Sequence, residues 1–317
     1  MSPGVAVVIP AFNHARYLAE AVDSVLDQTY PHVDLLVIDD GSTDETPRVL
    51  ERYGSRLRWL SRENRGQSAT LNEGWSKTQG EILLYVGDDD RLLPGAIATA
   101  VAALEAAPRS IGVFGDYLLI DDQSRTLRRV TMTDVDLRGM LRDYLIPQAG
   151  TFVRRRIWQQ VGGWDTSLGQ VPDRDFFLRA LLHGPLLRIG EPLAAFRVHP
   201  ASQTFRPHGA GGAAEPILVA DRFFERDGLP SDVLDLKQRA RAMARVVAAR
   251  HDLRRGDWRV AVGHLAGAAL IQPQIVLSPR AWRFIANGIG GHLRTASGRA
   301  SDAAANATAC RNQITRN

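Results

Sequence analysis

The chain holds a single cysteine, Cys310, among 317 residues. That excludes an intrachain disulfide framework and any metal site built on several thiolates, and a reducing cytoplasm is the simplest compartment for it. Lysine is almost as scarce, with only Lys77 and Lys237, so arginine carries the basic excess. No stretch reaches the ~18 uninterrupted apolar residues that a membrane-spanning helix needs. The opening "MSPGVAVVIP" lacks the charged start and long apolar core of a secretion signal, and its apolar residues are expected to form a first strand. No G-x-G-x-x-G follows that strand, which argues against a dinucleotide oxidoreductase. The segment that does follow, "PAFNHARY", is not the glycine-rich basic loop of a sugar-phosphate nucleotidyltransferase.

What the chain does have is apolar content of 44%, enough for one large α/β domain and a smaller module. Val5 to Ile9 reads as a buried strand closed by Pro10 and Asn13. In "HARYLAEAVDSVLDQTY", Tyr17, Leu18, Ala21, Val22, Val25 and Leu26 recur at helical spacing. "VDLLVIDDGSTDET" is a second strand ending in Asp39 and Asp40, with Thr43 or Asp44 placed to cap the next helix. A third strand from Leu57 to Leu60, a helix from Gln67 to Thr78 and a strand from Ile82 to Val86 follow. Strands alternating with helices predict a mainly parallel, Rossmann-like sheet flanked by helices, with ligands beyond the strands' carboxyl ends.

The strand from Ile82 to Val86 releases three carboxylates at once, Asp88, Asp89 and Asp90. Like charges that close repel, and each resists losing its water. A divalent cation shared with a phosphate relieves both costs. Taken alone, the run would read as a solvated turn or a helix cap.

It does not stand alone. "VVIPAFNHARYLAEAVDSVLDQTYPHVDLLVIDDGSTDET", "ENRGQSATLNEGWSKTQGEILLYVGDDDRLLPGAI" and "VPDRDFFLRALL" resemble, in order and spacing, the family 2 glycosyltransferases of GT-A fold. The resemblance runs from about Val5 to Thr204. It implies the GT-A nucleotide-diphospho-sugar transferase fold and transfer of a sugar to an acceptor hydroxyl with inversion, usually with Mn²⁺ or Mg²⁺. Against the frequent D-x-D-D spelling, the first Asp falls on Gly87. By the resemblance Asp89 is the chief metal ligand, Asp88 lies nearer the ribose, and Asp90 either touches the metal or caps a helix. Pro10, Ala11, Phe12 and Asn13 would line the nucleotide together with Asp39 and Asp40. Asp39 would accept from a base N–H, which favours uracil or thymine. Arg65 would meet the diphosphate or base, or else pair with Glu63 or Glu73.

An inverting displacement needs a base within hydrogen-bond reach of the acceptor hydroxyl. Asp173 matches the second residue of the family's Glu-Asp pair, with Pro172 in place of the Glu; Asp175 is the fallback. A helix N-terminus there would hold the carboxyl's pKa low. Trp164, after a Gly-Gly turn, is either a stacking platform for a sugar or a core aromatic. "AAFRVHPASQT" resembles the segment in which a basic residue and a histidine approach the diphosphate, which makes Arg197 a neutralising cation and His199 a ligand of the metal or a donor to phosphate.

The catalytic domain is expected to span residues 1–205, followed by a Gly-, Ala- and Pro-rich linker at 206–215, a helical module at 216–296 and a disordered tail at 297–317. From Pro216 onward 16 Lys and Arg face 8 Asp and Glu, a net of +8, against +4 for the whole chain. Those arginines lie along helices without aromatic interleaving, which argues against nucleic acid. A solvated face, a homodimer contact or a peripheral contact with the inner face of the cell membrane remain for them. The expected partners are a nucleotide-diphosphate sugar and a carbohydrate or lipid-linked acceptor in surface polysaccharide or glycolipid assembly. A protein that binds a nucleotide sugar without turnover is the alternative that Pro172 keeps open.

Overall fold

Residues 2–147, 149–199, 202 and 210–296 are described by a computed structural model, with backbone alone at 210–211 and 293–296. In chain order the elements are β1 (Val5–Ala11), α1 (Ala15–Leu26), β2 (Val33–Asp39), α2 (Thr46–Glu51), β3 (Arg58–Ser61), α3 (Gln67–Lys77) and β4 (Ile82–Tyr85). β5 (Arg91–Leu92), α4 (Ala96–Ala106), β6 (Gly112–Ile120), β7 (Thr126–Val130), α5 (Leu137–Asp143), β8 (Thr151–Arg154) and α6 (Arg155–Val161) follow. Then come α7 (Pro172–Ala180), β9 (Leu186–Arg197), α8 (Ala210–Phe224), α9 (Ser231–Leu234), α10 (Lys237–Arg255), α11 (Trp258–Ile271), α12 (Pro273–Val276) and α13 (Pro279–Ala296).

All nine strands join one sheet in the order β3-β2-β1-β4-β8-β6-β9-β5, with β7 beside β6. The half from β3 to β4 is parallel. β8 runs antiparallel to β4 and β6, while β6 and β9 are parallel, so the sheet as a whole is mixed. β1 is buried along its whole length. A strand flanked on both edges and covered on both faces has no solvent side, and so its sequence runs apolar without alternation. One face packs Val5, Val7 and Ile9 against Leu18 and Val22 of α1, each buried aliphatic side chain contributing roughly 1.5–3 kcal/mol. On the other face α3 comes so close that a Cβ at Gly74 would lie 2.6 Å from Val8 Cγ1.

The chain divides by contacts into two compact units. The first, Met1–Asp134 with Pro147–Gly169 and Arg179–Arg197, carries the sheet. The second joins Val135–Ile146 and Gln170–Leu178 to the residues from Val198 onward. Sequence placed a linker at 206–215; of that stretch, 210–215 forms the start of α8, and 206–209 lie outside the described residues, as does the expected tail at 297–317. In the second unit α5, α8, α11 and α13 all pack on α10. Alanines 240, 242, 244, 248 and 249 of α10 are fully buried, and small side chains allow that close approach. α9 ends at Leu234, and after residues 235–236 the chain resumes as α10, which Gly256 closes in the left-handed conformation.

Candidate functional site

The register places Ala11 of β1 opposite Asp39 of β2, and Asp39 opposite Ser61 of β3, so three strands end level with one another. The chain leaves β1 through Phe12, which is exposed, and Asn13, which has φ 57°. Asparagine tolerates this left-handed conformation because its short polar side chain bonds locally. Here Asn13 N–H donates to Ser42 Oγ at 2.9 Å and Asn13 Oδ1 accepts from Thr43 N–H at 2.7 Å. The two strand ends are thereby tied together. Asp39 is buried, its Oδ1 accepting from Ser42 N–H and its Oδ2 from the Ser61 hydroxyl at 2.7 Å. Asp44 accepts from Thr46 N–H at the start of α2, as its position in the sequence suggested.

Asp40 has a different task. Its carboxylate accepts from Arg65 N–H and Gly66 N–H, both at 2.8 Å, where the chain enters α3. It also pairs with Arg62, which reaches Glu73 at 2.8 Å and Thr70 Oγ1 at 2.9 Å as well. Arg62, absent from the expected site, is the cation that organises this corner. The Arg65 guanidinium is exposed and lies 3.8 Å from Glu73.

The acidic run after β4 folds back onto these ends. Asp88 is buried; its Oδ2 accepts from Phe12 N–H at 2.8 Å and its Oδ1 lies 2.8 Å from His14 Nδ1. Asp90, also buried, accepts from Arg197 N–H at 2.8 Å and so turns towards β9. Burial pushes both carboxyls above the ordinary range, with the Asp89 charge adding to it, most strongly at Asp90. At Gly87 a Cβ would meet Asp89 Oδ1 at 2.9 Å and Asp90 Oδ2 at 3.0 Å. An aspartate at that position would press a further carboxylate against those of Asp89 and Asp90.

His14, Asp89 and His199 each offer a ligand atom, and these atoms lie within 4.8 Å of one another. The chemistry of this set fits a divalent transition ion: two imidazoles and one carboxylate suit Mn²⁺ better than Mg²⁺, which takes oxygen almost exclusively. The Asp88–His14 bond orients the ring, as carboxylates commonly do for metal-ligating histidines. Of the ligands expected from sequence, Asp89 and His199 belong to this group, Asp90 does not, and His14 joins it unforeseen.

Arg197 is not placed as a neutralising cation. Its guanidinium is buried and donates to Asp89 O at 2.7 Å, Asp121 O at 3.1 Å, Ser124 Oγ at 2.8 Å and Glu20 at 2.5 Å, over the ring of Tyr17. It ties the acidic turn to α1 and to the β6–β7 turn. Arg197→Met should therefore lower unfolding free energy by about 3 kcal/mol, because it strands buried acceptors and leaves Glu20 without that partner. Urea denaturation, read as the midpoint at unchanged slope, checks this.

Trp164 is buried between Trp75 and Tyr85, with ring centroids 6.2 and 5.8 Å away. It follows Gly162 and Gly163, at φ 78° and 76°. Asn72 holds the turn, accepting from Trp164 N–H and donating to Trp164 O. The aromatic role is that of a core residue.

Asp173 and Asp175 lie in the first turn of α7, within the second unit. Pro172 opens this helix, where a missing N–H costs nothing and a fixed φ helps. The Asp173 carboxylate accepts from Arg174 N–H at 2.7 Å. Sequence predicts a low pKa at this helix end, yet burial outweighs both that bond and the neighbouring guanidinium and pushes the carboxyl up to about 6. Arg174 itself is fully buried, donates to Met140 O at 2.9 Å, and stacks 3.7 Å over the Tyr144 ring.

Residues 6–162 match the family model Glycosyl transferase family 2. An uncharacterized glycosyltransferase of Rickettsia prowazekii is 30% identical over 212 residues, which cover 64% of this chain and 66% of that relative. The chain thus spans just under two thirds of that relative's length. Among solved structures, S. aureus TarS residues 1–349 in complex with UDP-GlcNAc superpose with a TM-score of 0.65 at 15% identity, covering 93% of this chain and 92% of that one. The mannosyltransferase PcManGT from Pyrobaculum calidifontis, in complex with GDP-Man and Mn²⁺, gives 0.57 at 18% identity, covering 99% and 85%. At these identities the two structures establish likeness of fold.

Proposed function

The chain belongs to glycosyl transferase family 2, and on that premise we propose that it moves a sugar from a nucleoside diphosphate to an acceptor hydroxyl, with inversion, in surface polysaccharide or glycolipid assembly. The observation that carries this reading is the grouping of Asp89 with His14 and His199 beside the ends of β1 and β2. A bound Mn²⁺ would supply positive charge against the departing diphosphate. The chain's own residues do the rest. Phe12 offers an exposed ring beside the base. Asp39 keeps acceptor capacity beyond its bonds to Ser42 and Ser61, which suits the N–H of uracil or thymine and favours UDP or dTDP sugars. Asp88 holds His14 and the turn at Phe12 in place. Asp173 takes the acceptor's proton, a task suited to a carboxylate whose pKa lies near working pH.

A thermal-shift screen of nucleotide sugars, with and without Mn²⁺, tests the donor half directly. Stabilisation by one nucleotide class that requires the metal is expected. No response to any donor would remove the proposal. His14→Ala should weaken Mn²⁺ binding by about 10–100-fold in calorimetry, since it removes a ligand and releases Asp88 from it. Unchanged Mn²⁺ affinity would exclude His14 from the ligand set. Metal-dependent donor binding without turnover on any acceptor would instead mark a nucleotide-sugar-binding protein.

A further inference from the structure

Six of the ten exposed large apolar side chains among the described residues lie between Trp258 and Trp282. In α11 one apolar face is ordinary: Ala261, Leu265 and Ala268 pack into the clusters around α10. The opposite face is not. Trp258, Val262, Ala266 and Leu270, four residues apart along the helix, are all exposed, Leu270 at 88%. Beyond α11 the pattern continues with Leu277 at 73%, Trp282 at 57% and exposed Ala286. Trp258 meets His292 edge-on at 5.8 Å, so the start of α11 lies against the far end of α13. A surface helix normally turns charge to water on its outer face. This one carries a single charged side chain, Arg259, in fourteen residues.

The charges carried by the segment that forms the face have one sign. From Trp258 to His292 there are three arginines, Arg259, Arg280 and Arg283, and no Asp or Glu. At Arg280 the field of Asp143 is opposed by those of Arg283, Arg142 and Arg239. Nearby carboxylates are already engaged: Asp257 with Arg255, Asp252 with Arg255 and His264, and Asp143 with Arg142 and Arg239. A second copy of the chain would bring this cationic border against itself with only already paired carboxylates to meet it. An anionic lipid surface meets both features, taking tryptophan and leucine into the interface and drawing arginine to its headgroups.

We propose that the outer face of α11–α13 is a docking surface for a membrane bearing anionic phospholipid. The helices lie on the bilayer and do not cross it, since among the described residues no helix is long and apolar enough to span. The inference is independent of sugar transfer and would stand if the donor assignment failed.

Sedimentation of the full chain with vesicles tests it. The chain should pellet with an equal mixture of phosphatidylcholine and phosphatidylglycerol, weakly with phosphatidylcholine alone, and less as salt rises. Replacing Arg259→Gln and Arg283→Gln together should lower partitioning about 25-fold, roughly five-fold for each charge. Replacing Leu270→Ser and Trp282→Ser together should lower it at least about ten-fold. These positions lie at or near the surface, so circular dichroism should match the wild type. Brominated lipid should quench tryptophan fluorescence in the wild type and less in a Trp258→Ser, Trp282→Ser chain. Absence of pelleting with the mixed vesicles, or pelleting untouched by the Leu270 and Trp282 changes, overturns the proposal. So does a dimer in sedimentation velocity that those changes dissolve, which would give the face to a second copy.

Discussion

Asp89→Ala is expected to reduce donor hydrolysis and sugar transfer with Mn²⁺ by about a thousand-fold or more, while the protein stays folded. The magnitude follows from the several kcal/mol that a divalent ion contributes when charge develops on a leaving diphosphate. The side chain of Asp89 supplies the carboxylate of the grouping with His14 and His199. It differs in this from its neighbours, because Asp88 holds Phe12 N–H and His14, and Asp90 holds Arg197 N–H. Those two act in the architecture of the turn. Asp89→Ala also removes a like charge beside two buried carboxyls, so the variant should be no less stable than the wild type in thermal unfolding without metal. A variant that retains turnover would overthrow the metal assignment, and one that fails to fold would show Asp89 to be structural.

Asp173→Asn should lower kcat by about 10²–10⁴-fold, the span typical of losing a general base. Donor binding measured by calorimetry should remain. The pH profile separates this from a structural defect. With its pKa pushed up to about 6 by burial, Asp173 is protonated and inert as a base below that pH and ionised above it. Wild-type kcat/KM should therefore fall about ten-fold per pH unit below 6 and level off above it. In the Asn variant that limb should vanish, leaving a flat low rate. Persistence of the same limb in the variant would assign the ionisation to another group and take the role of base from Asp173.

The two expectations rest on differently legible features. Asp89 stands out in sequence because an apolar run, buried as β4, ends in a carboxylate cluster that needs a reason. His14 carries no such mark. It is one residue in "PAFNHARY", and only the return of the chain after β4, 74 residues later, brings Asp88 to its ring. Arg197 shows the reverse case. Its place in a recognisable segment suggested a phosphate contact, but burial beneath Tyr17 and bonds to Glu20, Ser124 and two backbone carbonyls give it to the fold. For Asp173 sequence supplied the helix end and its dipole, yet desolvation, a property of the packed environment, decides the direction of the shift.

Local pattern alone was enough for the parallel half of the sheet. β1, β2 and β4 are buried on both faces, so their apolar runs are continuous, and helices between them carry their own periodicity. The order of β6, β8 and β9 in the sheet, and the antiparallel sense of β8, were beyond that reach, because strand order depends on which edges remain open after the first four strands have paired. Recruitment of 135–146 into the second unit is likewise a matter of packing, α5 against α10, and Arg174 of 170–178 joins the same unit through Met140 O and the Tyr144 ring. Sequence thus determined the strand ends, their acidic residues and the family. Tertiary structure decided which side chains meet there, because hydrogen bonds and burial between residues far apart along the chain leave no periodic trace in either partner's neighbourhood.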